Sequence, residues 1–192
     1  KSYATWELPI EQAIISQVMK NDGADFSDVE LIPQYVENLQ GAFDSNIDAV
    51  WIYYGWDGVN AELNELDTNF FYFKDYAPEL DYYSPVIIGN NEFLENNPEI
   101  VSDFLDAIQK GYEYSIENPE DAAKIPVDAN EGMDLELCIA SQKWLSSQYI
   151  ADSEKWGYID PERWNGFYQW LNEQKLVEKP LADNTGFTND YL

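Results

Sequence analysis

Residues 47–54, Ile-Asp-Ala-Val-Trp-Ile-Tyr-Tyr, are a nearly continuous apolar run that ends at Gly55. Such a run reads as a strand buried on both faces, the habit of a parallel sheet whose two sides are covered by helices. The surrounding sequence agrees with that architecture. Residues 1–6 read as a first strand, and Ile10, Ala13, Ile14 and Val18 then fall at the three-and-four spacing of a helix that Asp22-Gly23 ends. Residues 29–32 give a second strand stopped by Pro33, and residues 39–43 a short helix. After residues 47–54 a short helix through Val59, Glu62 and Leu63 leads to an aromatic strand at 69–73. Strand and helix thus alternate through the first part of the chain, which predicts a small α/β lobe.

The pattern changes near Tyr82, Tyr83, Ser84 and Pro85. Residues 86–89 predict one more apolar strand, and beyond it the chain reads as helical. Asn97-Pro98 supplies an N-cap and a proline at the first helical position, ahead of Ile100, Val101, Phe104, Leu105 and Ile108 on one face. Pro119 and Pro126 predict breaks, residues 135–145 another helix, and Asp160-Pro161 the start of a third with Trp164, Phe167, Tyr168 and Leu171 at i, i+3, i+4 and i+7. Residues 186–192 read as irregular. No internal repeat or low-complexity segment occurs.

With 192 residues, 45% of them hydrophobic, the chain can bury a core unaided. Its 37 Asp and Glu against 10 Lys and Arg give a formal charge of −27, which excludes a nucleic-acid partner held through its phosphates. It also argues against docking on an anionic membrane. That excess predicts self-repulsion that added salt screens. The chain has no His and one cysteine, Cys138. Triads with a His base, imidazole zinc sites and His proton relays are therefore out of reach, as is an internal disulfide. Catalysis by carboxylate pairs or an activated lysine remains open. No metal site and no cofactor are expected, and no run is long and apolar enough to span a bilayer.

In an open α/β sheet, ligands bind beyond the carboxyl ends of the strands. Two such ends carry chemistry here: Thr5-Trp6-Glu7-Leu8-Pro9, and Tyr53-Tyr54-Gly55-Trp56-Asp57-Gly58 followed by Glu62. Each sets an indole beside a carboxylate where strand turns to helix, and the glycines flanking Trp56-Asp57 allow backbone to approach a bound group. Flat heteroaromatic ligands bearing amines suit that pairing. Each ring stack contributes roughly 1–3 kcal/mol, and a carboxylate accepts strongly from an exocyclic amine. Phosphates suit it less, since acidic side chains line the same loops and no glycine-rich cradle with lysine is present.

Each of these residues also has an ordinary structural role open to it. Trp6 and Trp56 could serve packing alone, Glu7 and Glu11 could favour a helix N-terminus electrostatically, and Glu62 could be a solvated helix residue. Trp51, Trp164, Trp170 and Cys138 read as core. The coincidence of ring and carboxylate at two strand ends is what singles the first set out.

The stretch WIYYGWDGVNAEL at 51–63 resembles the central motif of substrate-binding proteins in the NMT1/THI5-like, thiamine-precursor family. KSYATWELPIE at 1–11, DYYSPVIIGNN at 81–91, KWGYIDPERW at 155–164 and GFTNDYL at 186–192 are similar too. The resemblance covers nearly the whole chain and implies a type II periplasmic-binding-protein-like α/β fold. Residues 1–83 would be the second α/β lobe, and 84–192 a C-terminal strand and helices belonging to the first lobe. It further implies the solute-binding component of an ABC importer, with an aminopyrimidine-like thiamine precursor as ligand and an ABC permease as partner. The location would be extracytoplasmic, as a cell-surface lipoprotein or in the periplasm.

Carried over by position, Trp6, Glu7, Tyr54, Trp56 and Glu62 are the ligand-binding expectation: Tyr54 and Trp56 for stacking, Glu62 for an amine hydrogen bond, Trp6 and Glu7 to close the pocket. Tyr82, Tyr83, Ser84 and Pro85 are the expected hinge. The family's sequences carry roughly a further lobe before the position of Lys1, so this chain is expected to be a processed form or an excised piece. Residues 86–89 would then pair with a missing N-terminal segment or a second copy. Two other readings compete. Eukaryotic-type members are pyrimidine synthases that consume an active-site His and a Lys-bound cofactor, chemistry that a chain without His does not supply. The third reading is a truncated structural or interaction fragment without a ligand of its own.

Overall fold

Strand β1 (Ser2–Thr5) is buried along its whole length although three of its four side chains carry a hydroxyl. Burial of a hydroxyl is costly unless it is hydrogen-bonded, and each of these is. The Ser2 hydroxyl donates to the carbonyl of Asn46 at 2.8 Å, while those of Tyr3 and Thr5 donate to the Glu11 carboxylate at 2.7 and 3.0 Å. β1 can therefore occupy the middle of the sheet. It pairs in parallel with β2 (Glu30–Pro33), Ser2 opposite Glu30 through Thr5 opposite Pro33. On its other side it pairs in parallel with β3 (Ala49–Val50), Tyr3 opposite Ala49 and Ala4 opposite Val50, giving the order β2-β1-β3.

The computed structural model describes residues 1–36 and 38–192. They form two compact units: Lys1–Tyr53, Asn64–Tyr82 and Pro161–Thr185 in the first, and Tyr54–Leu63, Tyr83–Asp160 and Gly186–Leu192 in the second. The described residues form a mixed α/β protein with a small parallel sheet and many helices.

In the first unit, helix α1 (Pro9–Asn21) follows β1, with Pro9 at its first turn and Asp22-Gly23 just past its end, Gly23 taking φ +83°. Ile14 and Val18 on its inner face pack with Ala77 and Leu80, and with Trp170 and Leu171 of α9 (Pro161–Glu173). Helix α2 (Leu39–Asp44) is capped by the Asn38 side chain on the Gly41 N–H and sets Ala42 against Ala4 and Ile47. Short turns at Phe26–Asp28 and Pro78–Leu80 connect these pieces.

The second unit is helical. α3 (Val59–Leu63) is preceded by a π turn at Tyr54–Gly58 and rests on α8 (Leu135–Ser146). α5 (Asn91–Asn96), α6 (Pro98–Glu117) and α7 (Pro119–Ala129) complete it. Residues 186–192 are irregular, as expected. They are tied down by Asn189, which takes the N–H of Ile159 at 3.0 Å and gives its own amide to that residue's carbonyl at 2.9 Å.

Four sequence expectations are corrected. Residues 69–73 are not a strand; Phe73 instead opens the short helix α4 (Phe73–Tyr76). There the rings of Phe70 and Tyr72 meet edge to face at 4.7 Å, and those of Phe71 and Tyr76 at 5.3 Å. Residues 86–89 form no strand, since among the described residues no neighbour offers a ladder, and Val86, Ile87 and Ile88 are exposed. Residues 47–54 contribute only Ala49–Val50 to the sheet: Ala49 is exposed, and at Tyr54 the backbone winds into the π turn. Pro126 also stands inside α7 rather than ending it. The amide that proline lacks deprives the carbonyl four residues back of its helical partner, and the helix continues nonetheless.

Candidate functional site

The loop from β1 to α1 lies at the carboxyl end of the central strand, in the first unit. Trp6 is 39% exposed, and its ring lies 5.7 Å from that of Trp51 at an interplanar angle of 40°. Trp51 in turn meets Phe73 edge to face at 4.6 Å. Trp51 is thus half-buried as the support between two rings rather than a fully buried strand residue. Glu7 is exposed and takes φ +60°, in the left-handed region that non-glycine residues rarely occupy. Its N–H donates to the Thr5 hydroxyl at 2.9 Å.

Glu11, one turn into α1, is 1% exposed. Besides the hydroxyls of Tyr3 and Thr5, its carboxylate accepts the N–H of Trp6 on both oxygens, at 3.1 and 3.0 Å, and that of Leu8 at 3.4 Å. Burial, together with the hydrogen bond to the Glu11 carboxylate, raises the Tyr3 phenol well above its ordinary range. Sequence reasoning placed Glu11 only as a charge at a helix N-terminus. Its spacing three residues into the helix after Leu8 is the signal that could have shown it reaching back.

In the second unit the π turn and α3 bring Tyr54 and Glu62 together. The Tyr54 hydroxyl donates to the Glu62 carboxylate, and the Tyr54 ring lies 5.1 Å from the Trp144 ring at 46°. A π turn inserts one residue into the helical count, a distortion found frequently at functional sites. Here it leads straight into α3. Trp56, on the same turn, is 44% exposed. The Ser141 hydroxyl donates to the carbonyl of Gly55 and holds the turn on α8.

The two glycines work differently from the sequence expectation. A Cβ on Gly55 would stand 2.9 Å from Leu145 and 3.0 Å from Trp144, and one on Gly58 would stand 2.4 Å from Cδ2 of Tyr54. Their bareness is taken up by the protein's own rings. Trp144, which sequence reasoning did not single out, is reached only through this tertiary contact.

Of the expected hinge residues, Tyr82 stacks on Phe167 at 4.4 Å and 26°, in the first unit, and burial raises its phenol pKa. In the second unit the Tyr83 hydroxyl accepts the N–H of Asp160 at 2.9 Å. Ser84 and Pro85 are exposed. The step from Tyr82 to Tyr83 is one of five at which the chain passes between the two units.

Chemically, the five expected ligand residues offer ring faces and carboxylates. Trp6 and Glu7 stand in the first unit, and Tyr54, Trp56 and Glu62 in the second. Among the described residues no group of three or more Asp, Glu or Cys side chains could hold a metal ion, and no helix is long and apolar enough to cross a membrane.

Comparison with known proteins adds two findings. The chain is similar to the formylaminopyrimidine-binding protein of Halalkalibacterium halodurans, with 26% identity over 95% of this chain. The matched part is 56% of that relative, so the chain spans little more than half its length. A model of the NMT1/THI5-like family matches residues 1–122, which takes in β1, the π turn and both expected residue sets. With well over half of its length under that model, the chain belongs to the NMT1/THI5-like family.

Proposed function

We propose that this chain is the solute-binding component of an ABC importer, and that it captures a small aminopyrimidine-like thiamine precursor without transforming it. The observation that carries the proposal is the corner formed by Tyr54, Trp56 and Glu62. A phenol ring braced by Trp144 and a partly exposed indole on the π turn stand with a carboxylate of α3 fixed by the phenol's hydroxyl. The exposed Trp56 indole offers a stack of about 1–3 kcal/mol to a flat heterocycle, with the half-buried Tyr54 ring beside it. Glu62 uses one oxygen on Tyr54, and a carboxylate has about four acceptor positions, so it retains capacity for an amine donor. Trp6 and Glu7 are the second contact set in this reading.

The likeness to the formylaminopyrimidine-binding protein of Halalkalibacterium halodurans supports a pyrimidine ligand and a binding rather than an enzymatic role. A synthase that consumes its own histidine is disfavoured by a sequence with no His. The remaining parts of the proposal are an ABC permease as partner, an extracytoplasmic location, and Tyr82, Tyr83, Ser84 and Pro85 as the hinge. The exposed apolar run Val86, Ile87 and Ile88 supports a further partner covering that edge, either another segment of the protein or a second copy. A sharp monomeric peak in sedimentation, with residues 86–89 protected from hydrogen exchange, would contradict that part.

The test is a titration of tryptophan fluorescence with 4-amino-2-methylpyrimidine and its formylated aminomethyl derivative. Quenching is expected in the wild-type chain and is expected to disappear in Trp56→Ala. A folded chain whose fluorescence responds to neither compound would favour an interaction fragment with no ligand of its own.

A further inference from the structure

A carboxylate as deeply buried as Glu11 is not spent on the field of a helix end, which an exposed side chain would serve as well. Its partners show where it acts. They lie on the strand and the loop: the hydroxyls of Tyr3 and Thr5, and the amides of Trp6 and Leu8. The intervening amide, that of Glu7, is secured at one remove, because it donates to the same Thr5 hydroxyl that donates to Glu11. Three consecutive loop N–H groups therefore depend on one carboxylate, two directly and one through Thr5.

This anchoring coincides with the loop's strained residue, Glu7 at φ +60°. Such a conformation persists only where its surroundings over-determine it. Here they do so by fixing the amide of Glu7 and of each neighbour. The Trp6 indole, braced on Trp51, and the exposed Glu7 side chain thus leave a loop whose three successive amides are all hydrogen-bonded.

We infer that Glu11 is a positioning residue: it does not touch ligand, but holds the β1–α1 loop in the one conformation that presents Trp6 and Glu7. This inference rests on the functional reading above, in which those two side chains contact the ligand. A loop ordered in advance binds more tightly because ligand binding need not order it.

The test compares wild type, Glu11→Gln, Thr5→Ala and Thr5→Ser by amide hydrogen exchange and by calorimetry with 4-amino-2-methylpyrimidine. In Glu11→Gln the amides of Trp6 and Leu8 should exchange at least about tenfold faster while those of α1 beyond Ile14 keep their protection. Affinity should fall by a similar factor. Thr5→Ala should free the Glu7 amide and weaken binding, and Thr5→Ser, which restores the hydroxyl, should recover both. Unchanged exchange at Trp6, Glu7 and Leu8 in Glu11→Gln would overturn the inference. So would freed amides with undiminished affinity, since Glu11 would then serve stability alone. If Glu11→Gln does not fold, the Thr5 pair decides in the same way, and equal exchange and affinity in Ala and Ser variants would refute it. A wild-type chain that binds no aminopyrimidine overturns the functional reading instead, and the exchange pattern still decides whether Glu11 fixes the loop.

Discussion

Substituting alanine for Gly58 tests whether the Tyr54 corner is as tightly built as the distances indicate. A Cβ at residue 58 would stand 2.4 Å from Cδ2 of Tyr54 and 2.8 Å from both Cε2 and Cγ. Carbon atoms pack best about 3.5–4.0 Å apart. Flipping the ring about its own axis cannot relieve the contact to Cγ, which lies on that axis. The ring must swing away at its root, leaving Trp144 and the Glu62 carboxylate. Overpacking of this kind costs about 1–3 kcal/mol. Against it stands the gain from stiffening the unfolded chain, about 0.4–1 kcal/mol for glycine to alanine where the backbone allows it. The clash wins, and a net loss near 1–2 kcal/mol lowers the midpoint of thermal unfolding by roughly 2–8 °C in a chain of this length.

Gly111 supplies the control. It lies in the exposed interior of α6, and a Cβ there meets nothing within 4 Å. Gly111→Ala should therefore raise the midpoint by about 1–4 °C. A double-mutant cycle closes the argument, because in a Tyr54→Ala background the Gly58→Ala penalty should vanish. Calorimetric scans of the variants decide it. Gly58→Ala as stable as wild type, or a penalty that persists without the Tyr54 ring, would refute the reasoning.

Asp48 gives a pH signature: its carboxyl is lowered to about 2, first by the hydrogen bond from Lys1 and then by that from the Ser2 amide. A depressed folded pKa contributes stability above the ordinary carboxylate pKa and loses it as pH falls through the folded one. Acid unfolding of wild type between about pH 4 and pH 2 should accordingly be steeper than that of Asp48→Asn, and equal slopes would contradict the assignment. Ile14 is 1% exposed in the cluster with Leu80, Trp170 and Leu171, so Ile14→Ala should cost about 2–5 kcal/mol in urea unfolding. A loss below about 1 kcal/mol would mean that this cluster is not the core of its unit.

The elements that the sequence made legible are those whose signals are local. β2 follows from Leu31-Ile32 stopped by Pro33, β1 from its place ahead of the helical periodicity of α1, and α6 and α9 from a proline at the first helical position, Pro98 and Pro161. Residues 69–73 and 86–89 misled because aromatic and β-branched content measures a wish for burial, whereas a strand needs a neighbour to complete its ladder. Nothing inside Val86-Ile87-Ile88 says whether that neighbour exists.

The same distinction holds at the candidate site. Tyr54, Trp56 and Glu62 could be picked out because they are close in sequence and carry the right groups. Trp144 could not, since its relation to Tyr54 depends on α8 packing beneath the π turn. Glu11 is legible as an acidic residue in the first turn of α1, but its part as a buried anchor is not, because that depends on Tyr3 and Thr5 pointing their hydroxyls at it. The composition of the two units was equally illegible, since residues 161–185 join the first and residues 54–63 the second.

The claim on which the account turns is that a flat, amine-bearing ring settles on the Tyr54–Glu62 turn. Amide and indole chemical shifts recorded while 4-amino-2-methylpyrimidine is added test it directly. The account predicts saturable changes at residues 54–63, including the Trp56 indole N–H, that Glu62→Gln weakens. Saturable changes confined to other exposed rings, such as Phe70, Phe71 and Tyr72, with residues 54–63 unmoved, would contradict it.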